Sequence, residues 1–139
     1  MIAITAFSRS QIASAVALIF HLVGITGILF FNRDFFVSLT PFNLLLSATL
    51  LIWSQPSKNG AFYFFSIVCY TVGFFVEYLG VNHGILFGEY KYGSALGVTW
   101  QNVPLMIGVN WMIVMLCSGT SVQIVLNAIW NKLKEAHQP

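Results

Sequence analysis

Side chains that can do acid–base chemistry are concentrated in one segment of this sequence, residues 77–111. The segment reads EYLGVNHGILFGEYKYGSALGVTWQNVPLMIGVNW and holds two of the chain's 4 acidic residues, Glu77 and Glu89. Glu77 follows residues 61–76, which carry no charge. Burial among apolar groups favours a neutral carboxylic acid, which can donate a proton near neutral pH. Glu77 is therefore the candidate general acid; the structural alternative is an interfacial Glu held by backbone or by a tyrosine hydroxyl.

Two further residues in the segment are catalytic candidates. His83 is a candidate proton relay, although a histidine at a membrane interface is also a common hydrogen-bonding residue. Glu89 lies in the run Glu89–Tyr92, where polar and aromatic groups alternate as they do in interfacial belts, so anchoring competes with catalysis there. The 3 histidines show no metal-ligand spacing, so we predict no metal site.

Glycines recur around Glu77 at helical intervals. If the third helix continues past Glu77 at about 100° per residue, the glycines fall in one stripe with it. These glycines are Gly73, Gly80, Gly84 and Gly88. Such a stripe can form a smooth groove for a flat ligand. It is equally typical of close helix packing, or of turns that use the backbone freedom of glycine.

The elements that must position these residues are membrane helices. The chain is 58% hydrophobic and only 7% charged, against about a quarter charged in soluble domains. Apolar runs of about 20 residues predict spanning helices. We expect an all-α integral membrane bundle of about four transmembrane helices in a single domain, 1–139. The expected spans are about 12–31, 37–53, 61–79 and 104–129, with a polar Gly- and Tyr-rich segment at 77–103 and Pro104 in the first turn of the last helix.

Charge and cysteine usage narrow the function classes. Four of the cations lie on one side of a four-span topology, namely Arg9, Lys58, Lys132 and Lys134. Arg33 and Lys91 lie opposite, so the positive-inside rule predicts a multi-pass protein of the inner (plasma) membrane with both termini cytoplasmic. No basic run of the kind that follows phosphates occurs, so no nucleic-acid partner is expected. Cys69 and Cys117 lie in apolar runs without a CxxC motif and are interpreted as small core residues.

An ordered series of residues extends along the polar segment: Glu77, Gly80, Gly84, Phe87, Gly88, Tyr90, Tyr92, Gly93, Gly97, Val103, Pro104, Leu105 and Trp111. In this series the chain resembles the membrane carotenoid biosynthesis protein family, which includes CruF-type carotenoid 1,2-hydratases and haloarchaeal bisanhydrobacterioruberin hydratase. The resemblance covers about residues 70–119. It implies hydration of the terminal carbon–carbon double bond of an acyclic, lipid-soluble carotenoid in the membrane lipid, without a cofactor.

The mechanism that fits this resemblance begins with protonation of the alkene by Glu77. Water then captures the tertiary carbocation, which Tyr78, Tyr90 and Tyr92 would stabilise with their ring faces. The expected substrate-binding set is completed by Gly80, Gly84, Phe87, Gly88, Pro104 and Trp111.

The resemblance is to the N-terminal part of a family whose members are longer. It therefore leaves open whether the chain is a natural short form, half of a split enzyme, or a truncated product. A homo-oligomer or a complementing subunit would then supply the missing walls of the substrate site. The competing hypotheses are a small membrane carotene cyclase subunit, which would close a ring instead of adding water, and a non-catalytic carotenoid-binding scaffold. A transporter is disfavoured because only one polar segment exists.

Overall fold

The computed structural model describes residues 7–136; His137 lies outside this range. Within it the chain forms five α-helices, one short 3-10 turn and two short strands. The helices are α1 Arg9–Phe30, α2 Arg33–Ser38, α3 Thr40–Ser54, α4 Gly60–His83 and α5 Met106–Ala136. The 3-10 turn is Ser94–Leu96, and the strands are β1 Thr99–Trp100 and β2 Val103–Pro104. The predicted all-α class is confirmed.

Three helices in the described part of the chain, α1, α4 and α5, are long and apolar enough to cross a membrane. The chain is accordingly a membrane protein. Helix α3 is apolar but has only 15 residues, a length of about 22 Å at 1.5 Å per residue, whereas the hydrocarbon core is about 30 Å thick. The second predicted span, 37–53, is divided between α2 and α3. The break falls at Leu39, because Pro41 in the first turn of α3 lacks the N–H that a continuous helix would need.

Local signals set where the helices begin and end. Ser8 and Gln11 form a capping box at the start of α1. Asn59 caps α4 by accepting a hydrogen bond from the backbone N–H of Phe62 at 2.9 Å. At its other end, α4 stops at Gly84, which adopts the left-handed conformation with φ 64°.

Helices α4 and α5 pack closely, and Phe74 and Ile107 belong to one buried cluster between them. Glycine makes this approach possible at two points. A Cβ on Gly73 would lie 2.3 Å from the Cβ of Trp111. A Cβ on Gly108 would lie 2.6 Å from the ring of Tyr70. Small residues at such contacts let backbones approach in membranes. A second cluster joins α3 to this pair through Ala48, Cys69, Val109, Met112 and Leu116.

The connection between α4 and α5 contains a small hairpin. Its two central residues, Gln101 and Asn102, have φ of 49° and 67°, the positive values that a type I′ turn requires. Val103 of the returning strand is 0% exposed. Pro104 pairs with Thr99 in the second strand. The expectation that Pro104 lies in the first turn of the last helix is therefore wrong. Pro104 belongs to strand β2 of the hairpin, and α5 begins at Met106.

The hairpin is fastened to the end of α4 by one side chain. The amide nitrogen of Asn82 donates to the backbone oxygen of Gln101 at 2.9 Å. The amide nitrogen of Asn102 donates to the amide oxygen of Asn82 at 3.1 Å. These bonds join the hairpin to the last turn of α4.

Candidate functional site

The carboxyl group of Glu77 is the centre of a hydrogen-bonded cluster. The Tyr90 hydroxyl donates to Oε2 at 2.5 Å, and the Tyr92 hydroxyl donates to the same oxygen at 2.6 Å. The indole Nε1 of Trp111 donates to Oε1 at 3.0 Å. Both carboxyl oxygens are therefore engaged, one by two phenols and the other by an indole.

Each partner is positioned by a different local structure. Trp111 extends from α5 into the space left by Gly73 and reaches Glu77 on the facing side of α4. Tyr90 and Tyr92 lie two positions apart outside any helix, a spacing that puts side chains on the same face of an extended chain. Lys91 between them is exposed.

The two tyrosines have different surroundings. The Tyr90 hydroxyl lies where a Gly80 side chain would be, 2.6 Å from an ideal Cβ at that position. The Tyr90 ring also contacts Phe87, with ring centroids 6.4 Å apart. Tyr92, in contrast, packs against the apolar cluster that contains Val103 and Phe74. Tyr92 is thus held by the core of the protein, and Tyr90 by the loop that precedes it.

Three donors on one carboxyl group stabilise its ionised form. This arrangement works against the neutral acid that burial among apolar residues would favour, and it differs from the expectation for Glu77. The same hydrogen bonds favour the protonated form of the two tyrosine hydroxyls. Burial, the hydrogen bond to Glu77 and its charge raise the pKa of Tyr90 to about 12. The same causes, burial first, raise the pKa of Tyr92. Both hydroxyls remain protonated donors across the neutral pH range.

Two polar cavities border the cluster on the loop side. The first, which we call the Tyr90 cavity, has a volume of about 480 Å³. Its lining consists of Val81, Asn82, His83, Gly84, Glu89, Tyr90 and Lys91. The second, the Tyr92 cavity, has a volume of about 320 Å³ and is lined by Val81, Lys91, Tyr92, Thr99 and Asn102. Each tyrosine that binds Glu77 thus also forms part of a separate polar cavity.

The other predicted catalytic residues lie beside the cluster. His83 and Glu89 both line the Tyr90 cavity. The ring of His83 packs edge-on against Tyr78, at 5.9 Å between centroids. Within residues 7–136, the hydrogen bonds to the Glu77 carboxyl group come from Tyr90, Tyr92 and Trp111, and neither His83 nor Glu89 makes one.

The predicted substrate-binding residues are dispersed. Tyr78 stacks on Trp100 of the hairpin, at 6.1 Å between ring centroids. Pro104 is fully buried within the second strand of the hairpin. Phe87 is 55% exposed. Of the predicted glycines, Gly80 has the Tyr90 hydroxyl in the space where its side chain would be. Gly84 and Gly88 lie beyond the helix with φ of 64° and 75°. The continuous helical stripe therefore does not form, and the turn interpretation holds for these last two residues.

Two structural residues of the site were missed by sequence reasoning. No local pattern marks Asn82, because its role depends on a hairpin turn made by Gln101 and Asn102, which lack the glycine that usually signals such a turn. The Tyr70 hydroxyl donates to the backbone oxygen of Leu105 at 3.2 Å, which no local pattern predicts. Among the residues that the structure describes, no group of three or more His, Cys, Asp or Glu side chains could hold a metal ion.

Comparison with known proteins gives one match. A family model described as "Carotenoid biosynthesis protein" matches residues 35–138. This range includes Glu77 and its three hydrogen-bonding partners. No curated protein and no solved structure matches the chain.

Proposed function

Because the chain belongs to the carotenoid biosynthesis protein family, we propose that it is a hydratase that adds water to the terminal carbon–carbon double bond of an acyclic carotenoid end group. Membership of the family gives the protein a role in carotenoid biosynthesis, with a lipid-soluble carotenoid as substrate. Hydration is the step that we assign to the Glu77 cluster.

The observation that carries this proposal is the placement of Glu77 between an apolar helix and polar cavities. Residues 61–76 before it carry no charge. The two phenols bound to it border the Tyr90 and Tyr92 cavities. Hydration of an alkene requires an acid at the polyene and a supply of water at the same point. A cyclase needs the acid alone, and water would divert its cation, so polar cavities beside the acid favour hydration.

The chemistry can be followed atom by atom. Glu77, whose three donors favour the ionised form, first takes up a proton from solvent at Oε2. That proton then passes to the less substituted carbon of the terminal double bond, and the other alkene carbon becomes a tertiary cation. A water oxygen bonds to that cation, and the Glu77 carboxylate takes the proton that the added water releases. The acid is regenerated, and one water is consumed in each turnover. When Oε2 carries a proton, it cannot keep two hydroxyl donors as before, so one tyrosine hydroxyl must turn away.

In this mechanism the rings of Tyr90 and Tyr92 also stabilise the carbocation. The rings of Tyr90 and Tyr92 lie 5.6 Å apart and nearly perpendicular, at 81°. Aromatic faces attract cations within about 6 Å, by about 0.5–2 kcal/mol. A carbocation formed at Glu77 would lie beside two such rings and one carboxylate, which together stabilise positive charge.

An exposed apolar run gives the polyene a route to this point. Ile85, Leu86 and Phe87 are 51%, 66% and 55% exposed. They follow the end of α4 directly, and Phe87 contacts the ring of Tyr90. These side chains suit contact with lipid and with a hydrocarbon substrate dissolved in it.

We also propose that both termini are cytoplasmic, in the inner membrane. Both termini lie on one side of the membrane when the 15-residue α3 crosses it together with α1, α4 and α5. The side of the termini then carries four cations, Arg9, Lys58, Lys132 and Lys134, against two on the other side. A cysteine at Lys58 should be protected from an impermeant thiol reagent added outside intact cells, and a cysteine at Lys91 should react. The reverse pattern would contradict this orientation.

Production of the chain in a host that accumulates an acyclic carotenoid tests the proposed function. We expect a product heavier by the mass of one water, detected by chromatography with mass analysis and absent from the host alone. A cyclic product of unchanged mass would show a cyclase instead. Unchanged pigments, with the protein folded in the membrane, would contradict the proposal.

A further inference from the structure

We infer that water reaches Glu77 through the Tyr90 cavity, and that the Tyr90 hydroxyl is the group that admits it. This inference rests on the proposed hydration, since that reaction consumes one water in each turnover at a carboxyl group among apolar residues.

Tyr90 is the direct link between the cavity and the acid. Its side chain lines the cavity of about 480 Å³, and its hydroxyl is 2.5 Å from Oε2 of Glu77. Other polar residues that line the cavity, His83, Glu89 and Lys91, provide hydrogen-bonding partners for water there. The Tyr90 side chain thus contacts both the cavity and the carboxyl group.

The other two donors to Glu77 pack against apolar residues of the core. Trp111 covers Oε1, and its ring packs against the cluster of Phe74, Val103 and Ile107. Tyr92 covers Oε2 from the second cavity, but its ring packs against the same cluster. Displacing either aromatic ring would disturb the buried core.

Tyr90 is held by contacts that can change without disturbing that core. Its ring packs on Gly80 and on Phe87, which is more than half exposed. The preceding loop contains Leu86 with φ 77°, a conformation that costs a non-glycine residue energy. Rotation of the Tyr90 side chain away from Oε2 therefore changes its contacts with Gly80, Tyr92 and the exposed loop, and leaves Val103 and Phe74 in place. The same rotation is needed when Glu77 takes up a proton.

The two cavities provide a matched test. In a chain with both native cysteines replaced, Cys69→Ala and Cys117→Ala, one cysteine is introduced at His83 in the Tyr90 cavity or at Thr99 in the Tyr92 cavity. Glu89→Cys supplies a second position in the Tyr90 cavity, in case the His83 variant does not fold. Each purified protein is measured before and after reaction with a bulky, charged thiol reagent.

Two readouts are taken from the same samples. The first is labelling of the Glu77 carboxyl group by a water-soluble carbodiimide with an amine nucleophile, located by mass analysis of peptides. It depends on aqueous access and does not require enzyme activity. Labelling of Asp34 and Glu135, which are exposed and line neither cavity, shows whether the carbodiimide reaction itself is unchanged. The second readout is carotenoid hydration in vesicles.

Modification at position 83 or 89 should lower Glu77 labelling by about tenfold, because it fills the space through which water enters. Modification at position 99 should leave labelling within about twofold of its starting value. Unchanged labelling after modification at positions 83 and 89, or a loss only at position 99, would overturn the inference. If labelling follows the expected pattern but no carotenoid is hydrated before modification, the proposed function fails while aqueous access to Glu77 through the Tyr90 cavity stands.

Discussion

The hydroxyl of Tyr90 occupies the space that a side chain at Gly80 would need: a Cβ built on Gly80 would lie 2.6 Å from it. Glycine at this position thus lets the loop after α4 fold back onto the helix one turn beyond Glu77. The same contact brings the hydroxyl to the carboxyl group at 2.5 Å. The absence of a side chain at Gly80 therefore helps to assemble the site.

Replacement of Gly80 by alanine should disturb this assembly selectively. The added methyl group forces the Tyr90 hydroxyl away from Oε2, so we expect carotenoid hydration per folded protein to fall by at least about tenfold. Overpacking should also cost about 1–3 kcal/mol of stability. Thermal unfolding in detergent, measured beside activity, separates the two effects.

The matched control is Gly119→Ala. Gly119 is also a helical glycine, but a Cβ there meets nothing within 4 Å. Alanine is a better helix former than glycine by about 1 kcal/mol, so this variant should be as stable as the native chain or more stable, with unchanged hydration. Equal activity losses in both variants would show that Tyr90 placement is not the cause.

Trp111→Phe tests the donor on the other carboxyl oxygen. The phenyl ring still fills the space beside Gly73, but the N–H that reaches Oε1 at 3.0 Å is lost. A hydrogen bond to a charged group contributes about 1.5–3 kcal/mol, and we expect a loss of stability in this range. Trp130→Phe is the control, because Trp130 is 59% exposed near the end of α5. A smaller loss for Trp111 than for Trp130 would argue against a charged Glu77.

The tyrosine cluster predicts a specific response to alkaline pH. The pKa of Tyr90 is raised from 10.0 to about 12, so the folded protein holds this proton more tightly than the unfolded chain. The stability that follows is fully present below about pH 10 and is lost as the pH rises through about 12. Melting temperature measured from pH 8 to 12 should fall in this window, and less steeply in Tyr90→Phe. An identical fall in the variant would contradict the assignment.

Asn82→Leu should loosen the hairpin without touching Glu77 directly. It removes the bonds to Gln101 and Asn102, and unsatisfied backbone groups cost about 1–3 kcal/mol. Hydrogen exchange of residues 99–104 should become faster, with little change in α1. Asn131→Leu, at an exposed position near the end of α5, is the control. Unchanged exchange in the hairpin of the Asn82 variant would show that other contacts hold it.

Much of the architecture was predictable because its causes are local. Apolar runs and the charges that flank them predicted membrane helices, and Glu77 stood out because residues 61–76 before it are uncharged. The break between α2 and α3 also has a local signal in Pro41. The hairpin was missed because Gln101 and Asn102 adopt positive φ without a glycine, held there by Asn82.

The partners of Glu77 could not be derived in this way. Tyr90, Tyr92 and Trp111 lie 13, 15 and 34 residues beyond it. Periodicity relates residues on one helix, whereas these contacts depend on how a loop folds back and on how closely α4 and α5 approach. Gly80 leaves the space into which the loop folds with Tyr90, and Gly73 leaves the space for Trp111 between α4 and α5. The sequence pattern of these glycines predicted the wall of a ligand groove instead.

The most direct test of the account is the product formed by Glu77→Gln beside the native chain. The amide keeps the size of the side chain but cannot deliver a proton, and general acid catalysis contributes about 10²–10⁴-fold in rate. Both proteins are produced at equal levels in a host with an acyclic carotenoid, and the hydrated product is quantified by mass analysis. We predict hydrated carotenoid from the native chain and a loss of at least about 10²-fold in the variant. Hydration at the native rate by the folded Gln variant would contradict the central claim that Glu77 is the acid.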